Sequence, residues 1–496
     1  MSQATSRRFF LGAATAAAAT RVWGANDRVN VAIVGLGGRG TNHLNIYSRL
    51  PEARVAGLCD IDQAARERAQ ATLLRNTGEK ATEFEDMRQA FADSGVEAVS
   101  IATPNHWHAL AAIWAMKAGK DVYGEKPACY NIYEGQRMIQ VARETRRMLQ
   151  IGSQHRSTPF KMRAMAAIQG GLIGQVYMAK GLCFKRRASI GHRENSPTPP
   201  GVNWDLFLGP APLRPFNELR FKYNWHWFWD TGNGDIGNQG VHEIGICRWG
   251  LGDPEWPKTA YAQGGKYAYT DDQETPNTLL AGYDYGGREI VFEVRGLLTG
   301  AEGAVVKGRP GPPATGAAAP PSSPAPTSIT PRNAAPLNIM IGNLFYGTEG
   351  WAATSDAGFL AFKGESAELV MEERPDRAAG DPTRLHMQNF LEACRSRNYK
   401  YLHDEISNAS LSASLCHLAN ISYRVGRKLT LAPGPKFAGD AGPTSSSPAT
   451  IVNPTWSDGT DRSVAPAIRR ASQPRRCRAA GKVTARTSTG GTEPRY

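Results

Sequence analysis

The 496-residue sequence has no CxxC pair, no cysteine and histidine spacing of the metal-binding kind, and no run of 18 uninterrupted apolar residues. The first two absences argue against a structural zinc site and a redox dithiol, and no metal is expected. The third excludes a membrane-spanning helix after the N-terminal segment. The seven cysteines (59, 129, 183, 247, 394, 416, 477) are odd in number and scattered, so a complete disulfide framework is not expected and most read as small core residues. Internal repeats are also lacking, which excludes a solenoid. What remains, 41% hydrophobic and 21% charged residues, is the composition of a globular protein with room for two domains.

Acidic residues are outnumbered, 45 against 58, for a net charge of +13. Nearly half of the excess, +6 of +13, lies in one terminal segment. Residues 433–496 carry ten Lys/Arg against four Asp/Glu, are rich in Ser, Thr, Pro and Gly, and show no apolar periodicity; they read as a disordered basic tail, and no nucleic-acid partner is expected. A Pro/Ala-rich segment at 308–336 reads as an insertion in a surface loop, because its prolines forbid a helix or central strand. At the other end, Ser6-Arg7-Arg8-Phe9-Phe10-Leu11 followed by an Ala-rich run matches a twin-arginine export signal, with an apolar stretch too short to anchor. Residues 1–25 are therefore expected to be removed by the export machinery's route, leaving a periplasmic protein exported already folded.

The β-branched run Val29–Val34 reads as a buried strand and leads into Gly35, Gly37 and Gly40, a G-x-G-x-x-G spacing. In that pattern Gly35 makes the turn, Gly37 lets backbone approach a pyrophosphate, and Gly40 lets the next helix pack on the strand. Asp60 follows 20 residues after Gly40, at the end of a second apolar strand. A carboxylate there accepts ribose hydroxyls and repels a 2′-phosphate, so NAD is favoured over NADP. Strand-like and helix-like segments go on alternating to "MLQIGSQ" (148–154), which predicts a doubly wound parallel sheet. Ligands of such sheets sit beyond the strands' carboxyl ends. Those ends carry Thr103, Pro104, Asn105 and His108 in "TPNHWH", and Glu125 and Lys126 in "GEKP"; with the glycines and Asp60 they are the predicted cofactor residues.

The glycine turn, "ATPNHWH", "GEKP" and the downstream "GNGDIGNQGVHEI", in that order, resemble the Gfo/Idh/MocA oxidoreductase family. The resemblance implies a Rossmann domain (26–153) followed by an α/β substrate domain (154–432) with a large open, mostly antiparallel sheet, and a homodimer or homotetramer. It implies that Lys126 is catalytic, acting on a substrate hydroxyl. Partial burial would bring its pKa toward the working range.

Asn238 and His242 stand four apart on an expected helix from 238 to 249, so both point to one face. Many members of the family carry D-x-G-x-H-x-x-D here; this chain has Asn238 for the first Asp and Gly245 for the last. His242 is expected to accept the hydroxyl proton, with Asn238 orienting substrate or imidazole, and an aspartate at 238 is expected to be tolerated. "KYNWHWFWD" (222–230) reads as an extended segment with three tryptophans on one face. The resulting expectation is NAD-dependent oxidation of a secondary hydroxyl on a sugar, cyclitol or derivative, by hydride transfer to a tightly held nicotinamide cofactor. The alternatives are a redox-neutral NAD-dependent glycosidase or lyase of the same fold, and a catalytically degenerate cofactor-binding protein.

Overall fold

The computed structural model describes residues 28–302 and 339–426. The segments expected to be an export signal (1–25), a loop insertion (308–336) and a basic tail (433–496) lie outside the described residues.

Six strands form the first sheet: β1 (Val29–Val34), β2 (Ala53–Cys59), β3 (Thr82–Phe84), β4 (Ala98–Ile101), β5 (Asp121–Gly124) and β6 (Leu149–Ile151). Their order is β3-β2-β1-β4-β5-β6 and every pair is parallel. Near-continuous burial of β1, β4 and β5 follows from helices on both faces, which hide alternate side chains equally. Those helices are α1 (Gly38–Tyr47), α2 (Gln63–Thr77), α3 (Met87–Ala92), α4 (Asn105–Lys117) and α5 (Ile132–Thr145). Asp62 and Asp86 cap α2 and α3 by accepting backbone N–H groups two residues on.

After α6 (Pro159–Gln169), the second sheet is built from β7 (Val176–Cys183), β8 (Thr259–Gly265), β9 (Thr278–Asp284), β10 (Glu289–Arg295), β11 (Ile341–Gly347), β12 (Gly350–Ser355), β13 (Gly358–Lys363) and β14 (Glu368–Glu373). It runs β14-β13-β12-β11-β7-β10-β9-β8, antiparallel except for the β7–β10 pair. One face packs on α8 (Val241–Gly250) and α10 (Ile406–Val425); between β7 and α8 lies the short α7 (Trp204–Leu208), and α9 (Pro382–Ser396) returns to the first domain. There Met387, Phe390 and Leu391 share a core with β1 and β2. One apolar cluster continues from the first sheet through α4, α5 and α10 into the second, so the two sheets are joined by a common core rather than by a linker.

Two local expectations fail. Residues 222–227 form a 3-10 helix rather than an extended segment. Tryptophans spaced two apart therefore do not share a face; Trp227 is buried and Trp225 stacks on His226 with ring centroids 3.6 Å apart. The helix expected from 238 begins as a π-type turn at Ile236–Gly240, which passes into α8 at Val241. Six cysteines among the described residues are free and buried.

Candidate active site

The glycine turn meets its steric requirements one residue at a time. Gly35 sits at φ +87°, and a Cβ there would lie 2.7 Å from the Ala102 carbonyl oxygen. A Cβ on Gly40 would fall 1.7 Å from the Gly35 carbonyl oxygen, so α1 packs on β1 at a distance only glycine allows. A Cβ on Gly37 would meet nothing within 4 Å. That space opens on a cleft of about 1890 Å³, and no side chain caps the start of α1 beside it, leaving helix N–H groups aimed at the space.

The sequence-predicted residues line this cleft, except Gly40 and His242. Asp60 accepts the Leu36 N–H (2.6 Å) on one carboxylate oxygen and the Asp62 N–H (2.9 Å) on the other. Burial outweighs these bonds and raises its pKa. Each oxygen keeps a lone pair for a further donor. Thr103 contributes a buried hydroxyl without a partner, and so does Arg39 with its Nη2. Two orphaned polar atoms, a glycine cradle and a carboxylate at the end of β2 fit a dinucleotide.

Asn105 and His108 are tied to the protein itself. The Asn105 amide donates to Asn233 (3.0 Å), while the two His108 ring nitrogens face the carbonyls of Pro127 (2.7 Å) and Thr103 (2.9 Å). His108 thus ties the segment after β4 to the segment after β5. Burial keeps its pKa below the usual imidazole value despite both carbonyls.

Glu125 is buried at 4% exposure and accepts hydrogen bonds from Arg39 Nε (2.6 Å) and the Lys126 N–H (3.1 Å), with His43 Nε2 at 3.0 Å. Burial alone would push its carboxyl up, but Arg39, His43 and Lys126 outweigh burial and hold it well below the usual carboxylate range. A fixed anion therefore lies under Lys126. The Lys126 ammonium donates to the Asn238 backbone carbonyl (2.6 Å) and side-chain oxygen (3.3 Å). Burial, ahead of the opposing attraction of Glu125, lowers the Lys126 pKa.

These bonds fix the orientation of the Asn238 amide, because lysine only donates and a carboxylate only accepts. Its oxygen faces Lys126, and its nitrogen faces the Tyr223 phenol oxygen (3.2 Å) and Asp235 Oδ1 (3.4 Å). Asp235 is held by both arms of Arg187 (2.8 and 2.6 Å), whose third nitrogen donates to the same Tyr223 oxygen (3.1 Å). Tyr223, Asp235 and Arg187 were not legible as site residues in the sequence. The signal within reach was Asp235 three residues before Asn238, a carboxylate displaced rather than lost.

His242 is 7% exposed, and its Nδ1 is buried without a partner. Its ring meets His155 edge to face at 5.1 Å. Burial first, then Lys126 and His155, depress its pKa well below the imidazole range, so the ring is neutral. The π-type turn sets Asn238 against Lys126 while His242 stays behind the cleft wall.

Known proteins match in the same order as these elements. Residues 29–153 match the Gfo/Idh/MocA oxidoreductase family's NAD-binding Rossmann fold, and residues 170–291 match its C-terminal alpha/beta domain. An inositol 2-dehydrogenase of Rubrobacter xylanophilus is 30% identical over 200 residues, 40% of this chain and 53% of that protein. A glycosyl hydrolase family 109 protein of Saccharopolyspora erythraea is 28% identical over 204 residues, 38% and 44% respectively. The chain thus spans about half the length of the curated relatives it matches. Among solved structures, the WlbA dehydrogenase of Bordetella pertussis, in complex with NADH and UDP-GlcNAcA, superposes with a TM-score of 0.54 at 18% identity, covering 81% of this chain and 98% of that one. GenD2 from gentamicin A biosynthesis, in complex with NAD, gives 0.54 at 18%, covering 81% and 95%.

Proposed function

From the two consecutive domain matches, which support a Gfo/Idh/MocA-family oxidoreductase, we propose that this protein oxidises a secondary hydroxyl of a sugar, cyclitol or derivative with NAD as hydride acceptor. The observation that carries the substrate class is the pair of donors on either side of the Asn238 amide. Lys126 has three N–H donors, two of them spent on Asn238, and the third is available to a substrate oxygen. The Tyr223 oxygen accepts from Arg187 and Asn238, so its own hydrogen is available too. Two donors flanking one amide suit two neighbouring oxygens of a polyol.

The cofactor fits the glycine cradle, Asp60, Thr103 and Arg39, and supplies hydride chemistry when bound. Lys126 Nζ contacts the hydroxyl to be oxidised; in the neutral form that burial favours, two N–H groups stay on Asn238 and the lone pair takes the hydroxyl proton as hydride leaves the carbon. Glu125 stays anionic beneath and keeps the ammonium oriented. His242, neutral and one layer behind with its pKa held well below the imidazole range, is too weak a base to take that proton from the ammonium, and the proton leaves through the open cleft. Tyr223 Oη donates to the neighbouring substrate oxygen and fixes which hydroxyl faces the nicotinamide.

A second reading, a redox-neutral glycosidase, is favoured by the similarity to the family 109 protein. One experiment separates them: incubate the protein and NAD with myo-inositol, free hexoses and aryl glycosides, and follow NADH and released aglycone together. NADH from a free polyol supports oxidation. Aglycone without net NADH supports the second reading, and neither product from any of them rejects both. Export by the twin-arginine route is part of the proposal; Arg7→Lys with Arg8→Lys is expected to leave the protein in the cytoplasm, and unchanged export would reject it.

A further inference from the structure

Residues 199–213 leave the second domain and lie on the first. Gly201 accepts the Gln63 N–H (2.9 Å), Asn203 donates to the Ile61 carbonyl (3.0 Å), and Val202 bridges antiparallel to Asp62. Ile61–Gln63 directly follow Asp60 at the end of β2, and the Asp62 N–H is one of the two that hold the Asp60 carboxylate. Three residues after Asn203, the segment is fixed again at the start of α4. Trp107 Nε1 donates to the carbonyls of Leu206 (3.1 Å) and Phe207 (3.0 Å), and His106 Nε2 meets the latter at 3.0 Å.

The sheet order gives these two anchors their meaning. β1 lies between β2 and β4, and the glycine turn follows β1. A segment attached after β2 and after β4 must therefore pass across the carboxyl end of β1, over the cradle itself. The same cleft is accordingly lined by Gly37 and Asp60 from below and by Asp205, Phe207, Gly209 and Pro212 from the segment.

Its attachment is local. Trp204 stacks on Phe207 (4.7 Å) and packs with Leu208 and Phe216 in a small core separate from the three others, with Ile61 and Phe221 at its edge. Such a unit can open without unfolding either sheet. At Gly209, with φ +48°, a Cβ would lie 1.9 Å from the Trp107 ring, so the chain passes the indole at a distance only glycine permits.

We propose that residues 199–213 are a strap that closes over the bound dinucleotide and sets how fast it enters and leaves. The strap's attachment at Ile61–Gln63 adjoins the turn that positions the Asp60 carboxylate, which stays in place when the strap opens. The proposal rests on the dinucleotide reading of the cleft, though not on the substrate.

The test is stopped-flow fluorescence of NADH binding and release with the full chain, its Gly209→Ala variant and its Asn203→Ala variant. Gly209→Ala drives a methyl into Trp107. Asn203→Ala removes the side-chain oxygen that caps α7 through the Leu206 N–H (3.1 Å) and does not line the cleft, so it serves if the first variant fails to fold. Both association and release should quicken at least about tenfold, with the dissociation constant changing much less. Faster release with unchanged association would make the segment an ordinary contact and overturn the gate, as would wild-type rates in a folded Asn203→Ala variant. No NADH binding by the wild type would overturn the dinucleotide reading instead.

Discussion

Asn238 donates its side-chain amide to the phenol oxygen of Tyr223 across 3.2 Å while standing 3.4 Å from a carboxylate oxygen of Asp235. An aspartate at 238 would face Asp235 with like charge and leave Tyr223 one donor short. The expectation from sequence that Asn238→Asp is tolerated is thereby reversed. The variant should lose roughly 10²-fold in kcat on whichever polyol the wild type oxidises. Steady-state kinetics beside a melting curve check it; a rate within about twofold of wild type would show that the amide is not needed.

Tyr223→Phe keeps the ring and removes the one hydrogen directed away from Arg187 and Asn238. KM should rise and kcat/KM fall by about 10- to 100-fold, because a site that hydrogen-bonds a substrate oxygen is left unpaired. An unchanged KM for the same polyol would place the second substrate oxygen elsewhere.

Lys126→Met preserves bulk but removes the ammonium that sits on Glu125 and Asn238. Turnover should fall on the order of 10²- to 10⁴-fold, with NADH affinity little altered, since Lys126 acts on the hydroxyl rather than the phosphates. Loss of NADH binding in a folded variant would move Lys126 from the reaction to the cofactor.

Gly37→Ala and Gly40→Ala should part company. The first adds a methyl to open space and is expected to leave the melting temperature unchanged while weakening NADH binding, because the methyl enters the cradle. The second sets a methyl against the Gly35 carbonyl oxygen, at a cost of about 3 kcal/mol in stability. Equal melting temperatures for the two would contradict the packing described.

Glu243 neighbours His242 and is buried, with one carboxylate oxygen unpaired and its pKa pushed up to about 8 by burial. The folded protein thus holds a proton that the unfolded chain releases near the ordinary 4.5. Stability from this group is present below that value and is lost as pH rises toward about 8. Glu243→Gln, neutral throughout, should gain melting temperature over wild type as pH rises from about 5 to about 9. A difference independent of pH would exclude a buried carboxyl titrating there.

Much of this architecture could be read from the order of residues alone. The β-branched run at 29–34, the three glycines and the alternation that follows dictate a parallel sheet with a turn at its centre, because each is a local constraint: burial on both faces, a positive φ, a helix with no room for a Cβ. Lys126 and Asp60 were legible for the same reason, since both sit at strand ends where the sheet itself delivers them to the cleft. The sequence could not settle which groups share a hydrogen bond across domains. A π-type turn at Ile236–Gly240, invisible in periodicity, turns Asn238 toward Lys126 and keeps His242 behind the wall. Residues 222–227, spaced like a strand, coil into a 3-10 helix that presents Tyr223 to Asn238 and Arg187. And residues 199–213, with no motif of their own, acquire a role only because β1 lies between β2 and β4. Contacts of that kind depend on which distant segments the packing brings within 3 Å, and a pattern of neighbours along the chain does not contain that information.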